Sequence, residues 1–309
     1  MARIHDNENP QSQVNTSTSG ILSSEKISDS RSNACQVGKW LNRIVLILIV
    51  AIGLFAGLAL IFRGSANPFD LFTHGRLPTV KDTERWDVYG FKGLQLVVEN
   101  ALEDSWTPYL EEYVSEWDQG SPDALELSVQ RVSVDSSCQP STGVLKICNG
   151  DYGNTDWIGV NYNMVQNGFI IHSVSQMNDY HLNNMNDDDK RYTMCHEMGH
   201  GFGLPHTDEN YSNTNLGNCL DYTMHVQGNL SPGAFNYNLL SLMYGTIPPS
   251  QRKLKKDHVI PDSVIEKYKT LSEEMKSLPR EHCHSGRCAE DLGEGYSLIM
   301  HKLLLRNLT

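Results

Sequence analysis

The run Cys195-His196-Glu197-Met198-Gly199-His200-Gly201-Phe202-Gly203-Leu204-Pro205-His206 dictates a helix, an abrupt stop and a return. A helix advances one turn in 3.6 residues, so His196 and His200 stand on one face and can offer imidazole nitrogens to a single tetrahedral ion. Gly203 falls where that helix must end. Lacking a Cβ, it can take the positive φ of the reversal and bring His206 back as a third ligand. Shuffled chains of this composition carry all of these offsets about once in ten thousand.

Zn2+ is the ion this donor set predicts. Three neutral imidazoles leave its charge uncancelled, which acidifies water in the fourth position, and Glu197, beside the ligands but off their axis, is the expected proton acceptor. The plainer alternatives are a histidine-rich surface helix, or a metal site kept for structure alone.

The 309 residues allow one sizeable domain plus appendages. Net charge is −12, and the first 43 residues carry five basic against four acidic side chains, so nearly all the negative charge lies downstream. That argues against a nucleic-acid partner. From Ile44 to Phe62 no side chain is charged or strongly polar, and Arg43 and Arg63 border the run. This length spans the bilayer core as a helix, and some forty polar residues before it fit a retained signal anchor better than a cleaved peptide. Arg31, Lys39 and Arg43 on the amino side against Arg63 and Arg76 on the other keep the N-terminus cytosolic, so the histidine motif faces the lumen or the exterior. Gly53 and Gly57 form a small-residue pair through which two spans could approach, a weak basis for a homodimer.

Six of the seven cysteines lie beyond the span, as suits an oxidising compartment. Six cysteines allow fifteen connectivities. Cys138 with Cys148, Cys195 with Cys219 and Cys283 with Cys288 are the expected pairs, the first and last supported only by nearness in sequence. Cys283 and Cys288 with His282 and His284 could instead hold a second zinc, but an oxidising lumen favours the disulfide. Cys35 is left over, a free thiol or an acylation site. Glycosylation triplets at Asn210, Asn229 and Asn307 fit the same lumenal face.

Composition and periodicity divide the chain into a disordered cytosolic tail (1–43), a transmembrane signal anchor (44–62), a stalk (63–84), a catalytic domain (85–249) and a C-terminal helical extension (250–309). Apolar spacings of three and four predict an amphipathic helix from Gly93 to Trp117, interrupted near Pro108. Strands are expected at Leu125–Val129, Val144–Ile147, Ile158–Tyr162 and Phe169–Met177, the last two joined as a hairpin through Gln166-Asn167-Gly168. Asp187-Asp188-Asp189 favours the start of the metal helix, Lys190–Phe202. Further helices are predicted at Tyr237–Met243 and Asp262–Ser277. The segment from Tyr296 reads as a strand capping the domain or as a short separate module.

The motif resembles that of the metzincin zinc endopeptidases, His-Glu-x-x-His-x-x-Gly-x-x-His followed by a turn containing methionine. Cys195 and the run Asn218-Cys219-Leu220-Asp221-Tyr222-Thr223 are more loosely similar to secreted fungal-type members. The resemblance implies an α+β fold, a mixed sheet with an active-site helix, and cleavage of protein or peptide substrates. His196, His200 and His206 would hold zinc, Glu197 would be the general base and Tyr222 would help hold the oxyanion. An extended substrate would pair with an edge strand, for which Phe169–Met177 is the candidate. Leu220 stands at the methionine position of the turn, a departure that leaves Met224 as an alternative in another register. Two rivals follow: a zinc-binding but inactive cell-surface module, and a peptidase whose third ligand is a downstream carboxylate, Glu209 being nearest.

Overall fold

Eight strands build one mixed sheet in a computed structural model that describes residues 77–88, 92–247, 260–279, 283 and 287–306. The strands are β1 (Arg85–Trp86), β2 (Leu94–Asn100), β3 (Leu125–Arg131), β4 (Val144–Gly150), β5 (Trp157–Gln166), β6 (Phe169–Asn178), β7 (Arg287–Gly293) and β8 (Tyr296–Leu304). Their spatial order is β3-β2-β4-β6-β5-β8-β7, with β1 beside β6. The pairs among β1, β2, β3, β4 and β6 are parallel; those of β5 with β6, β5 with β8 and β7 with β8 are antiparallel. The expected tail, membrane span and Gly53/Gly57 pair lie outside the described residues. Among the described residues no helix is long and apolar enough to cross a membrane.

Helices cover both faces. On one side α1 (Thr107–Asp118), α3 (Asp187–Gly201) and α4 (Gly233–Tyr244) share a core with Leu96, Val98, Leu145, Ile147, Ile299 and Leu303. On the other, α5 (Asp262–Lys276) brings Val264, Tyr268 and Met275 against Tyr162, Met164, Leu298 and Met300. Neighbouring residues of β8 thus serve opposite layers, as the period of two requires. A single turn, α2 (Asp179–Leu182), follows β6.

Local chemistry accounts for the ends of the key elements. Asn186 caps α3 by accepting from the Asp189 amide at 3.1 Å, and three aspartates occupy its first turn, where the helix dipole favours negative charge. The β5–β6 hairpin turns at Asn167 and Gly168, with φ of 53° and 81°, the paired left-handed residues of a turn matched to strand twist.

The expected helix from Gly93 is half strand. Leu94, Leu96 and Val98 are buried and alternate with half-buried neighbours along β2, so the period of two prevails there. Pro108 does not interrupt a helix; it sits in the first turn of α1, where its missing N–H is no loss. Phe169–Met177 is no edge either, since β6 lies between β4 and β5. Residues expected in a helical extension past 249 supply α5 but also β7 and β8 of the main sheet. Asn229 is fully buried, accepting from the Gly217 amide and donating to Asp221, which removes it as a surface glycosylation site.

Candidate metal centre

His196 and His200 project from α3 and are fully buried; His206 is 7 % exposed. Their ring centroids lie 4.7 Å (196 to 200), 4.6 Å (200 to 206) and 5.1 Å (196 to 206) apart. One ligand atom from each falls within 4.8 Å of the other two, so the three can hold one metal ion. Gly203 makes the return possible. It adopts φ +90°, and a Cβ there would stand 2.0 Å from the Glu84 carbonyl oxygen. No other residue would be accommodated without moving that backbone.

Each ring is oriented through its other nitrogen. His196 Nδ1 lies 2.6 Å from the Cys219 carbonyl, and His200 Nδ1 lies 2.7 Å from that of Leu204. A carbonyl only accepts, so both Nδ1 atoms carry the proton and both Nε2 atoms present lone pairs. Those two Nε2 atoms are 3.0 Å apart. Facing lone pairs at that distance repel, and a cation between them turns the repulsion into ligation. Burial foremost, and the neighbouring histidines next, holds His196 and His200 well below the usual imidazole range, in the neutral form that binds metal.

Glu209, the alternative third ligand, lies behind His206: its carboxylate meets Nδ1 at 3.0 Å. It orients the imidazole while His206 itself joins the triad.

Glu197 is fully buried where α3 approaches β5, and neither carboxylate oxygen has a hydrogen-bond partner among the described residues. A Cβ on Gly159 would stand 2.5 Å from Glu197 Oε1 and 2.7 Å from Thr193 Cγ2, so the close approach depends on glycine in β5. Burial pushes the Glu197 carboxyl well above its usual range. Asn163 donates to the His200 carbonyl at 3.0 Å, and Ser175 to that of Glu197 at 3.0 Å, tying the metal helix to the sheet.

Beneath the helix, Leu220 is fully buried, its methyls 3.0 Å from where a Cβ on Gly199 would be, whereas Met224 is only half-buried. Leu220 forms the floor. Cys195 bonds Cys219, closing a separation of 24 residues worth about 3–4 kcal/mol by loop entropy. The other two disulfides are Cys138–Cys148 and Cys283–Cys288, the latter in place of a second zinc site. Three such bonds suit an oxidising, lumenal or extracellular compartment. The Tyr222 ring packs 4.5 Å from His206 and 5.8 Å from His196, with its hydroxyl donating to the Lys302 carbonyl of β8.

His301 is a member of the site that no spacing announces. Its ring stacks on His200 at 4.3 Å and 14°, and its Nε2 meets Glu84 at 3.2 Å, a carboxylate also held by Arg287 at 2.6 Å. His172, His181 and His225 are not in the triad: His172 is buried against Tyr268, His181 meets the Thr155 carbonyl, and His225 is exposed. No family model matches the chain, and no curated protein does.

Proposed function

We propose that this chain is a membrane-anchored zinc endopeptidase. The observation that carries the reading is three buried imidazoles with their lone pairs turned to one point, beside a buried carboxylate with no partner of its own. When bound, Zn2+ supplies a Lewis acid that polarises a peptide carbonyl and acidifies water. The protein's own groups do the rest. Glu197 takes the proton from water and passes it to the leaving nitrogen, which requires a carboxylate beside the ligands and not among them. Glu209 and the carbonyls of Cys219 and Leu204 fix which nitrogen of each histidine faces the ion. Leu220 fills the floor in place of methionine, being close to it in volume. Tyr222, next to His206, would hold a substrate's carbonyl oxygen through its hydroxyl, which here donates to the Lys302 carbonyl.

The resemblance in the His-Glu-x-x-His-x-x-Gly-x-x-His motif supports the metzincin class and an unfolded or extended protein substrate. The apolar run 44–62 supports a single bilayer anchor with the peptidase domain lumenal or extracellular, and the glycine pair within it supports at most a weak homodimer. The acidic charge gives no reason to expect nucleic acid.

A second reading, a zinc-holding surface module without turnover, is favoured by the depth of the site, whose ligands are at most 7 % exposed. The full chain, purified in detergent and loaded with Zn2+, decides between them. Chelator-sensitive cleavage of a peptide library that Glu197→Ala abolishes while retaining the metal supports the peptidase; bound metal without cleavage supports the module.

A further inference from the structure

In the peptidase reading, on which this inference rests, an extended substrate adds as a strand beside the metal. The open side for such a strand would be β5, because β6 is enclosed. Yet β8 pairs antiparallel with β5 from Trp157 to Gln166. The strand that occupies this edge is the chain's own β8.

Beside its place in both cores, it makes backbone contacts of the kind a bound peptide would make. The partner strand β7 begins at Arg287, opposite His301. Past that point the Lys302 carbonyl accepts from the Tyr222 hydroxyl, and the Leu304 carbonyl accepts from Tyr211 at 3.2 Å. Two tyrosines therefore grip alternate carbonyls of one extended strand, and one of them is the residue whose hydroxyl is suited to holding a substrate carbonyl. His301, between them and the hairpin, lies flat on His200. Arg306, just beyond the strand, pairs with Asp189 in the first turn of the metal helix. With β8 in this position His196, His200 and Glu197 are all fully buried.

We propose that Tyr296–Leu304 is an intramolecular stand-in for substrate: the site takes an extended polypeptide antiparallel to β5, and it opens only when β8 leaves that edge. The side chains of Lys302 and Leu303 then mark the positions flanking a substrate's gripped carbonyl.

A cross-link tests this. Leu305 N–H donates to the Asp156 carbonyl at 2.7 Å, and both side chains are at least partly exposed, so Asp156→Cys with Leu305→Cys can lock the end of β8 to β5. The single-cysteine variants are the unlocked references. Tyr211→Phe removes one grip and loosens the strand. All are compared as full-length, zinc-loaded chains by calorimetric binding of a peptide hydroxamate, which combines a metal chelator with an extended backbone, and by cleavage of a fluorogenic peptide library.

The locked chain should bind the hydroxamate at least tenfold more weakly than either single variant, and Tyr211→Phe severalfold more tightly than wild type. Equal affinity in locked and unlocked chains overturns the inference, as does a hydroxamate that binds none of them. If the lock blocks the hydroxamate but no variant cleaves peptide, the blocking strand stands and the peptidase reading fails.

Discussion

Loading the chain with Zn2+ should raise its melting temperature by about 8–16 °C, with His206→Ala removing most of the rise. Without a cation, the Nε2 atoms of His196 and His200 face each other at 3.0 Å and both Glu197 oxygens are buried without a partner. Each unsatisfied buried group costs about 1–3 kcal/mol, so the metal-free fold carries several kcal/mol of unrelieved polar burial. A ligand that binds only the folded state adds about 4 kcal/mol at a thousandfold excess over its Kd. Domains of roughly 150–250 residues shift by about 2–4 °C per kcal/mol, which gives the quoted range. The assay is scanning calorimetry on chelator-treated full chain, titrated with Zn2+ and with Mg2+ as a control. Glu197→Gln should keep the shift, because that side chain is no ligand; His206→Ala should leave a few degrees at most. A folded chain whose transition ignores Zn2+, or one in which His206→Ala responds like wild type, would refute the reasoning.

Other outcomes follow from single contacts. Glu209→Gln should lower zinc affinity about 10–100-fold in competition with a chromogenic chelator, with the fold intact, since it weakens only the acceptor behind His206. Leu220→Ala should cost about 2–5 kcal/mol in urea unfolding and Leu220→Met less than about 1.5, because the first leaves a cavity under the metal helix and the second refills it. His172 is buried with neither nitrogen partnered among the described residues, and burial pulls it down to about 3. Between an unfolded value near 6.5 and that folded value, the unfolded chain binds a proton that the native one refuses. As pH falls, stability therefore drops by up to about 1.4 kcal/mol per pH unit, or about 2.3 kcal/mol from pH 6.5 to 4.5. His172→Phe should flatten this acid limb by that amount in urea midpoints at the two pH values; an unchanged limb would place the acid sensitivity elsewhere.

The buried histidine triad was legible because it is local: two residues a turn apart and a glycine-bounded return need no tertiary information. The hairpin at Asn167-Gly168 and the acidic start of α3 were legible for the same reason, though the helix begins at Asp187 and its cap, Asn186, was not read. The stretch from Gly93 was misread because Leu94, Leu96 and Val98 satisfy a period of two while residues further on satisfy 3.6, and only pairing with β3 and β4 decides between them. Asn161 and Asn163 alternate with Val160, Tyr162 and Met164 as a solvent-facing row would, yet Asn163 bonds the His200 carbonyl and Asn161 bonds Ser175, which in turn bonds the Glu197 carbonyl. His301, Glu84 and Arg287 could not be found at all, since nothing in the spacing of a lone histidine near the C-terminus says that it will stack on another about a hundred positions earlier.

Glu84 meets His301 across 217 residues of chain. The pair that backs His200 is therefore drawn from the residue just before β1 and from β8. During synthesis the helix bearing His196 and His200 emerges well before β8, so the centre is walled only after Tyr296–Leu304 has followed it. Such a long-range closure folds slowly and late. Chains shortened before Tyr296 would carry the three imidazoles yet lack their wall, which makes β8 the element whose arrival completes the centre.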